Sequence, residues 1–187
     1  IQWMSLMIIE SIVTTFNEEG EANFAPMGVT IGEGELLISP YKDSATYRNL
    51  VATGAAIVNL TDSIRLFAES AISKPHFPTF TAELVTGLIL TDACSYYECR
   101  VSDADTSASR ATFHCKILKK AILREFIGFN RAKNAIIEAA ILATRVRFLG
   151  AAKIREEYRH LTEIVQKTGG EQEAQAMRYL QDYVERQ

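Results

Sequence analysis

Hydrophobic and polar residues alternate with a period of two near the start of the chain, which is the pattern of half-buried β-strands. Residues 7–16 follow it and are rich in β-branched side chains, so they predict a strand. The polar run NEEG at 17–20 predicts a turn, after which residues 21–31 return as the second strand of a hairpin. Another turn is predicted at 33–35, followed by a short strand at 36–39.

The second predicted strand is unusual because Pro26 and Gly28 lie inside it. Proline removes a hydrogen-bond donor from the ladder between strands, and glycine leaves a place without a side chain. Two interpretations remain open. In the first, this is an edge strand protected from aggregation, which accounts for Pro26 better than for Gly28. In the second, the strand bulges or admits a ligand close to its backbone.

Residues 40–61, PYKDSATYRNLVATGAAIVNLT, predict a helix followed directly by a buried strand. Asp43 or Ser44 is placed to cap a helix over 45–53, and Gly54 stands where helices commonly end. The run AAIVNL at 55–60 is apolar except for one asparagine, as expected of a strand inside a sheet.

Five polar or cationic residues gather around the start of this helix, where backbone N–H groups point at any anion. They are Lys42, Ser44, Thr46, Arg48 and Asn49. One interpretation is a phosphate site, and the other is a well-capped surface helix with an arginine on its exposed face. This stretch alone does not decide between them.

The middle of the chain predicts one more short helix and three more strands. The helix covers 63–71, and strands are expected at 83–91, 95–102 and 110–119. Residues 73–80, SKPHFPTF, contain two prolines and no periodicity, so they predict a loop that could sit over a site.

From residue 130 onward the hydrophobic period becomes that of helices. Three helical segments are predicted at 130–149, 151–167 and 171–186, and a pair of glycines separates the last two. We therefore expect a β-rich domain at 1–125, with six or seven strands, and a helical C-terminal domain at 126–187.

The first of these helical segments has a second group of candidate anion ligands at its start. Asn130 is expected as the N-cap, and Arg131 and Lys133 add positive charge where the helix dipole disfavours it. That small cost favours a functional role for the two cations, although an ordinary solvated helix end is the alternative.

Composition narrows the classes of function. Of the 187 residues, 48% are hydrophobic and 23% are charged, as in an ordinary globular protein. A net charge of −3 provides no positive field for nucleic acid, so an anionic ligand would need local cations. The apolar start IQWMSLMIIE is too short for a membrane span and lacks a basic leader, so no membrane association is expected.

Cysteine and histidine usage argues against disulfides and metals. Cys94, Cys99 and Cys115 form no CxxC and are odd in number, so we expect buried thiols in a reducing cytoplasm. The three histidines are scattered, and no pair has the spacing of metal ligands. No metal site is therefore expected.

Five segments of the chain resemble an uncharacterised, largely archaeal family, a domain of unknown function. They are IIESIVTTFNEEGEANFAPMGV, YKDSATYRNLVATGAAIVNLTD, FPTF, DACSYYEC and EFIGFNRAKNAIIEAAILATR. Members of that family have an FMN-binding split barrel and a small helical C-terminal part, and the layout is more distantly similar to flavin reductases. The resemblance implies a mainly β fold: a split β-barrel with a C-terminal helical segment.

The resemblance also implies a cofactor, FMN, and residues that hold it. In split-barrel flavoproteins the backbone of the second strand, here 23–30, approaches the isoalloxazine ring. Hydroxyl and basic side chains at the start of the first helix hold the phosphate. With the second helix start included, the candidate cofactor-binding residues are Asn23, Pro26, Met27, Gly28, Val29, Lys42, Ser44, Thr46, Arg48, Asn49, Asn130, Arg131 and Lys133.

The function that the resemblance implies is an FMN-dependent oxidoreductase, passing electrons from NADH or NADPH through FMN to an unknown acceptor. No catalytic side chain is predicted, because a flavin carries the chemistry itself. A non-catalytic FMN carrier and a protein that docks a partner through its helical tail are the alternatives. Related split barrels are dimers, so a homodimer with the flavin at its interface is expected.

Overall fold

A computed structural model describes residues 7–187, which form two compact units. The first consists of the described residues up to Thr61 together with His76–Glu125. The second consists of Asp62–Pro75 together with Phe126–Gln187. The division into two consecutive domains, 1–125 and 126–187, stays a prediction, and the compact units differ from it in residues 62–75.

The first unit is a closed antiparallel barrel of six strands, so the predicted β-barrel is confirmed. The strands of this unit are β1 (Ile8–Phe16), β2 (Ala22–Ile31), β3 (Glu35–Ile38), β4 (Ala55–Leu60), β5 (Thr79–Thr81), β6 (Leu88–Leu90), β7 (Ser95–Asp105) and β8 (Thr112–Ile122). Their order around the barrel is β1–β2–β3–β8–β7–β4, and β4 pairs with β1 to close it. The short strands β5 and β6 form a separate two-stranded sheet.

Alternate residues of the barrel strands point inward and fill the interior with apolar side chains. The buried interior cluster consists of Val13, Val29, Leu36, Ile38, Leu50, Ala56, Val58, Cys99, Ala111, Phe113 and Cys115. Both cysteines are free thiols; burial raises the pKa of Cys115 to about 12 and that of Cys99 above its usual value. They act as small apolar side chains, as predicted, and Cys94 is buried too.

A second apolar layer covers the outer face of the barrel beside β4 and β7. Its buried members are Ala55, Ile57, Ala82, Val85, Ile89 and Tyr96. Packing is close at Gly87, where a Cβ atom would lie 2.6 Å from Cγ1 of Ile57. Asn59 attaches this layer to the barrel, because its amide donates to Thr14 Oγ1 at 3.0 Å and accepts the Leu90 N–H at 2.9 Å.

A buried carboxylate, that of Glu98 on β7, shapes the turn before β6. The sequence predicts a strand over 83–91, but the structure has a strand there only in β6. Glu98 is fully buried and accepts the backbone N–H groups of Glu83, Leu84 and Val85 at 3.2, 2.6 and 3.3 Å. Because three consecutive N–H groups converge on one carboxylate, the backbone curls instead of extending.

The second unit is built from helices. They are α2 (Ile64–Ile72), α3 (Arg131–Thr144), α4 (Val146–Leu149), α5 (Ala151–Thr168) and α6 (Glu171–Glu185), whereas α1 (Ala45–Thr53) belongs to the barrel unit. The predicted helix at 130–149 is divided at Arg145 into α3 and α4. Among the helices of residues 7–187, none has the length and apolar character needed to cross a bilayer. The expectation for the apolar start of the chain falls mostly on residues 1–6, outside the described residues.

Residues 62–75 join the helical unit because α2 packs against α3 and α6. The buried residues of α2 are Ile64, Leu66, Phe67, Ala68 and Ser70. Within the same unit, the Tyr158 hydroxyl on α5 donates to the carbonyl oxygen of Ala139 on α3 at 2.6 Å. The broad apolar face of α3 is thus covered from two sides, on one of them by a segment much earlier in the chain.

Replacing Glu98 by glutamine should lower the free energy of unfolding by about 1.5–3 kcal/mol, measured by denaturant titration. A neutral amide weakens three charge-assisted hydrogen bonds, and its NH₂ group faces other donors. Glu83→Gln is the matched control: it removes a largely exposed carboxylate, paired with Lys119 Nζ at 2.6 Å. That change should cost less than about 1 kcal/mol. Equal losses in the two variants would contradict the anchoring role of Glu98.

Candidate functional site

The barrel wall has a gap beside β2, because its neighbour β3 is short. β3 pairs only with residues 29–31, the last three of β2. Residues 22–28 pair with β1 on one side, and no strand of the described chain pairs with them on the other. Beyond Ile38 the chain parts from β2, stays hydrogen-bonded to residues 109–111 before β8 through Pro40 and Lys42, and then enters α1. The start of α1 therefore follows directly on the gap.

Backbone N–H and C=O groups of β2 face this gap at every second residue. The Gly32 N–H donates to the Glu35 carbonyl at 2.8 Å. Because backbone groups alternate in direction along a strand, the even-numbered residues of β2 turn their N–H and C=O groups toward β3. By the same alternation, Phe24, Pro26 and Gly28 turn their backbone groups into the gap. Pro26 thus occupies a local sheet edge, where its missing N–H removes no bond from the ladder.

Gly28 has a different explanation. A Cβ atom at this position would lie 2.2 Å from Cγ2 of Ile8 on the neighbouring strand. The pairing of β1 with β2 runs without a register shift from Ile8 to Phe16, so there is no bulge at Gly28. The atom that a Cβ would meet here thus belongs to a side chain of the protein itself, the exposed Ile8.

Helix α1 begins as predicted and leaves N–H groups available at its start. Ser44 is the N-cap: its Oγ accepts the Tyr47 N–H at 3.2 Å and donates to the Tyr41 carbonyl at 2.7 Å. The N–H groups of Ala45 and Thr46 have no partner within the helix, and no acidic residue lies in its first turn. This helix end therefore carries partial positive charge.

Lys42 and Arg48 are exposed at this helix start. Arg48 Nη1 donates to the Asp43 carbonyl at 2.7 Å, which holds the guanidinium against the turn that precedes the helix. The pKa of Asp105 is lowered chiefly by the backbone N–H and the hydroxyl of Ser107, with a smaller contribution from Lys42. Asp105 is thus an acidic neighbour that offsets part of the positive charge of Lys42.

Thr46 and Asn49 are buried and attach α1 to the β1–β2 hairpin. Asn23 Nδ2 donates to Thr46 Oγ1 at 3.2 Å, and Asn49 Nδ2 donates to Thr15 Oγ1 at 3.0 Å. These two bonds fix the helix start relative to the part of β2 that faces the gap. The structure therefore brings the two predicted groups of site residues together, with Thr46 and Asn49 as ties between them.

Met27 and Val29 are placed differently from Pro26 and Gly28. Their side chains face the barrel interior, where Val29 is buried and Met27 packs against the core. As odd-numbered residues they direct their backbone groups toward β1, and Ser11 Oγ donates to the Met27 carbonyl at 2.9 Å. Direct contact of these two residues with a ligand stays a prediction.

The three candidates at the second helix start lie in the helical unit. Asn130 is the N-cap of α3: its Oδ1 accepts the Lys133 N–H at 3.1 Å, and its Nδ2 donates to the Thr168 carbonyl at 3.0 Å. The amide of Asn130 is thus used within this unit, while Arg131 is exposed and Lys133 is half-buried. Their part in a cofactor site stays a prediction.

Arg110 is a cation near the start of α1 that the sequence reasoning missed. Its Nε donates to the Ser39 carbonyl at 2.7 Å, and its guanidinium lies over the Tyr41 ring, 5.3 Å from the centroid. The Lys42 N–H donates to the Ser109 carbonyl at 3.2 Å, so the β7–β8 turn lies beside this helix start. No local pattern indicates the contact, because 71 positions separate Arg110 from Ser39 in the sequence.

Two parts of this chain match the two parts of a known protein family. Residues 9–124 match the N-terminal domain of a family of proteins of unknown function, DUF447, and residues 130–182 match its C-terminal part. The chain belongs to the DUF447 family. The predicted resemblance to an uncharacterised family is thereby confirmed.

Solved structures show the fold that DUF447 proteins share with others. An FMN-bound DUF447 protein from Methanosarcina mazei is 24% identical, covers 96% of both chains and has a TM-score of 0.83. Flavoredoxin from Methanosarcina acetivorans is 18% identical over 64% of this chain and 72% of its own, with a TM-score of 0.55. An NADH:FAD oxidoreductase from Streptomyces globisporus is 14% identical over 62% and 74%, with a TM-score of 0.53. The DUF447 barrel therefore has the fold of flavin reductase-like split barrels.

Gly28→Ala in this DUF447 chain should lower the free energy of unfolding by on the order of 1–2 kcal/mol, since the new methyl group meets Ile8. Ile8→Ala should be nearly neutral alone, because Ile8 is 65% exposed, and should restore most of the stability in the double variant. A double-mutant cycle from denaturant unfolding measures the coupling. If the losses in free energy of unfolding are additive, contact with Ile8 is not the reason for a glycine at position 28.

Proposed function

We propose that the chain is an FMN-binding flavoprotein whose cofactor lies in the gap beside β2, with its phosphate at the start of α1. One observation carries this proposal. Strand β2 lacks a ladder partner on one side over residues 22–28, and a hydrogen bond joins it to the start of α1. That helix start has available N–H groups, two exposed cations and no acidic residue in its first turn.

Electrostatics supports the phosphate end of the site. The N–H groups of Ala45 and Thr46 are available, and the helix dipole favours an anion at this end. Arg48 can hold a phosphate through two parallel N–H···O bonds, whereas Lys42 acts as a point charge. Arg48 and Lys42 are exposed, so we assign the side-chain contacts to them. Ser44 already donates its hydroxyl proton to the Tyr41 carbonyl, and Thr46 is buried beside Asn23, so we give both a positioning role.

The backbone of β2 supports the ring end of the site. A flavin ring has an edge of alternating N–H and C=O groups, which suits hydrogen-bonding groups spaced along an open strand edge. Phe24 and Gly28 each offer an N–H and a C=O, and Pro26 offers a C=O only. Met27 packs behind this edge inside the barrel, and Asn23 fixes the strand to α1.

The relatives identify the ligand class in this proposal. The DUF447 protein from Methanosarcina mazei is FMN-bound, and it covers nearly the whole length of this chain. Fold alone does not determine function, since one fold hosts many activities. The FMN assignment therefore rests on this relative together with the gap and the helix start.

The same proposal includes an oxidoreductase activity that takes electrons from NADH or NADPH. A bound flavin supplies hydride and electron transfer, so the protein has to orient and shield it and needs no nucleophile of its own. An NADH:FAD oxidoreductase and a flavoredoxin share the barrel fold. A homodimer and a cytoplasmic location complete the proposal, and the buried thiols of Cys99 and Cys115 support a reducing compartment.

Added FMN should raise the melting temperature of the wild-type protein, and Arg48→Ala should weaken the binding. The expected loss is about 1.5–3 kcal/mol, roughly 10- to 150-fold in Kd, because a bidentate contact is removed. Arg48→Lys should keep only part of the affinity, since lysine retains the charge but cannot form two parallel hydrogen bonds to the phosphate. Flavin fluorescence titration measures these affinities.

Arg65→Ala is the matched control for this experiment, because Arg65 is an exposed arginine on α2. It should bind FMN as tightly as the wild-type protein. A wild-type protein whose melting temperature does not respond to FMN would refute the proposed cofactor. Equal affinities of Arg48→Ala and Arg65→Ala would refute the phosphate assignment alone.

Anaerobic addition of NADH or NADPH to the FMN-loaded protein separates an oxidoreductase from an FMN carrier. We expect one of the two nucleotides to bleach the visible absorbance band of the flavin, because hydride transfer reduces it. In the carrier, the band persists with both nucleotides and disappears only on chemical reduction with dithionite. That second outcome would overturn the oxidoreductase part of the proposal and leave FMN binding intact.

A further inference from the structure

We propose that the helical unit binds anionic lipid headgroups through a basic corner, formed where α3, α4 and α5 follow one another. The basic corner consists of four exposed residues: Arg145, Arg147, Phe148 and Lys153. The proposal goes beyond the flavin site, because it concerns the helical unit alone and does not depend on FMN. The expectation of no membrane association was based on the apolar start of the chain, which does not report on a charged surface of this kind.

Positive charge is concentrated at the basic corner, although the whole chain carries a net charge of −3. Residues 139–155 contain four cations and no acidic residue. Arg155 is paired with Glu185 at 3.4 Å, and the other three cations form no ion pair within residues 7–187. Exposed charges are largely screened beyond about 8 Å at physiological ionic strength. A nearby anion therefore meets the local charge of the corner rather than the net charge of the protein.

Phe148 lies on the outward side of α4. Val146 is buried, and two positions along a helix correspond to about 200° of rotation, so Phe148 points away from the core and is 88% exposed. Arg145 lies three positions before it on the same side of the turn, and the Phe148 N–H donates to the Arg145 carbonyl at 2.9 Å. After Gly150, which has a φ of +79°, the chain enters α5 with Lys153 in its first turn. The exposed ring is thus flanked by cations.

A lipid surface fits this corner better than a folded protein does. Phe148 is almost fully exposed, so a protein partner would have to supply the whole pocket for its ring. One ring also exposes much less than the ~800 Å² that each partner buries in a standard interface. A bilayer needs no preformed pocket: the ring enters the headgroup region, and the cations stay beside the anionic lipids.

Single-stranded nucleic acid is another polyanion that cations and an aromatic ring can bind. Proteins that bind it combine a charged groove with several rings on which successive bases stack. Residues 139–155 contain one aromatic side chain, that of Phe148. The corner therefore has the composition of a membrane contact rather than of a stacking platform.

Vesicles made of phosphatidylglycerol and phosphatidylcholine in equal parts should bind the wild-type protein, measured by co-sedimentation. Vesicles of phosphatidylcholine alone should not bind it, because they present no net negative charge. Binding to the mixed vesicles should weaken as the salt concentration rises, since the attraction between exposed charges is screened. The protein should bind equally with and without FMN.

Phe148→Asp should lower the partition coefficient on the mixed vesicles at least ~10-fold, because a negative charge replaces the inserted ring. Phe129→Asp is the matched control. Phe129 is 95% exposed and precedes α3, whereas Phe148 follows that helix, so the control changes an exposed ring at the opposite end of α3. It should bind the vesicles like the wild-type protein. Both rings are exposed, so neither change should lower the melting temperature appreciably.

Arg147→Glu should also lower the partition coefficient at least ~10-fold, whereas Arg147→Lys should keep most of the binding because it retains the charge. Arg178→Glu is the matched control, since Arg178 is an exposed arginine on α6 and the change in net charge is the same. Two contacts show that α6 runs antiparallel to α5, which places Arg178 beside the C-terminal half of α5, away from the corner.

Three results would overturn the proposal. One is a wild-type protein that binds the mixed vesicles no better than phosphatidylcholine alone. Another is a pair of variants, Phe148→Asp and Arg147→Glu, that bind as tightly as their controls. The third is a protein that ignores both kinds of vesicle but binds polyuridine RNA through Phe148, which would assign the corner to nucleic acid. Each result leaves the proposed flavin site untouched, because that site is tested by FMN titration.

Discussion

Backbone N–H and C=O groups in a sheet need partners, and β3 is too short to supply them along the whole of β2. Only residues 29–31 of β2 meet β3, so the strand is open over residues 22–28 in a barrel that is otherwise closed. Pro26 is tolerated there because it has no N–H to leave unpaired. The ring end of the proposed site is this same open edge, and the phosphate end is the helix that the chain forms on leaving the sheet.

Buried polar contacts determine how the layers around this edge are arranged. Apolar packing is non-directional, whereas a buried amide or carboxylate must meet its partners at hydrogen-bonding distance. Asn49 and Asn23 tie α1 to the hairpin through Thr15 and Thr46, and Glu98 holds the turn at 83–85 on the outer face. The helix start is therefore fixed beside the open edge, and an anion would meet N–H groups that are already oriented.

Pro26 and Gly28 show that neighbouring anomalies in a sequence can have separate causes. Both weaken a predicted strand interior, and a single ligand-based explanation would cover both. In the structure, the proline lies where the ladder is missing, and a Cβ at the glycine would meet Ile8 on the adjacent strand. The backbone groups at these positions face the gap in either case, so the proposed function does not rest on the choice of Gly28.

The sequence by itself determined most of the local elements, and its resemblance to a known family implied the barrel and the candidate site. Helix α1 and strand β4 lie where the cap, the terminal glycine and the apolar run predict them, because those signals act within a few residues. Tertiary structure decided what depends on distant residues: the curl at 83–85 around Glu98, the place of α2 in the helical unit, and the approach of Arg110 to α1. It also decided that Thr46 is buried and accepts a hydrogen bond from Asn23. Such outcomes arise from contacts across the fold, whose free energies are not contained in the pattern of any single segment.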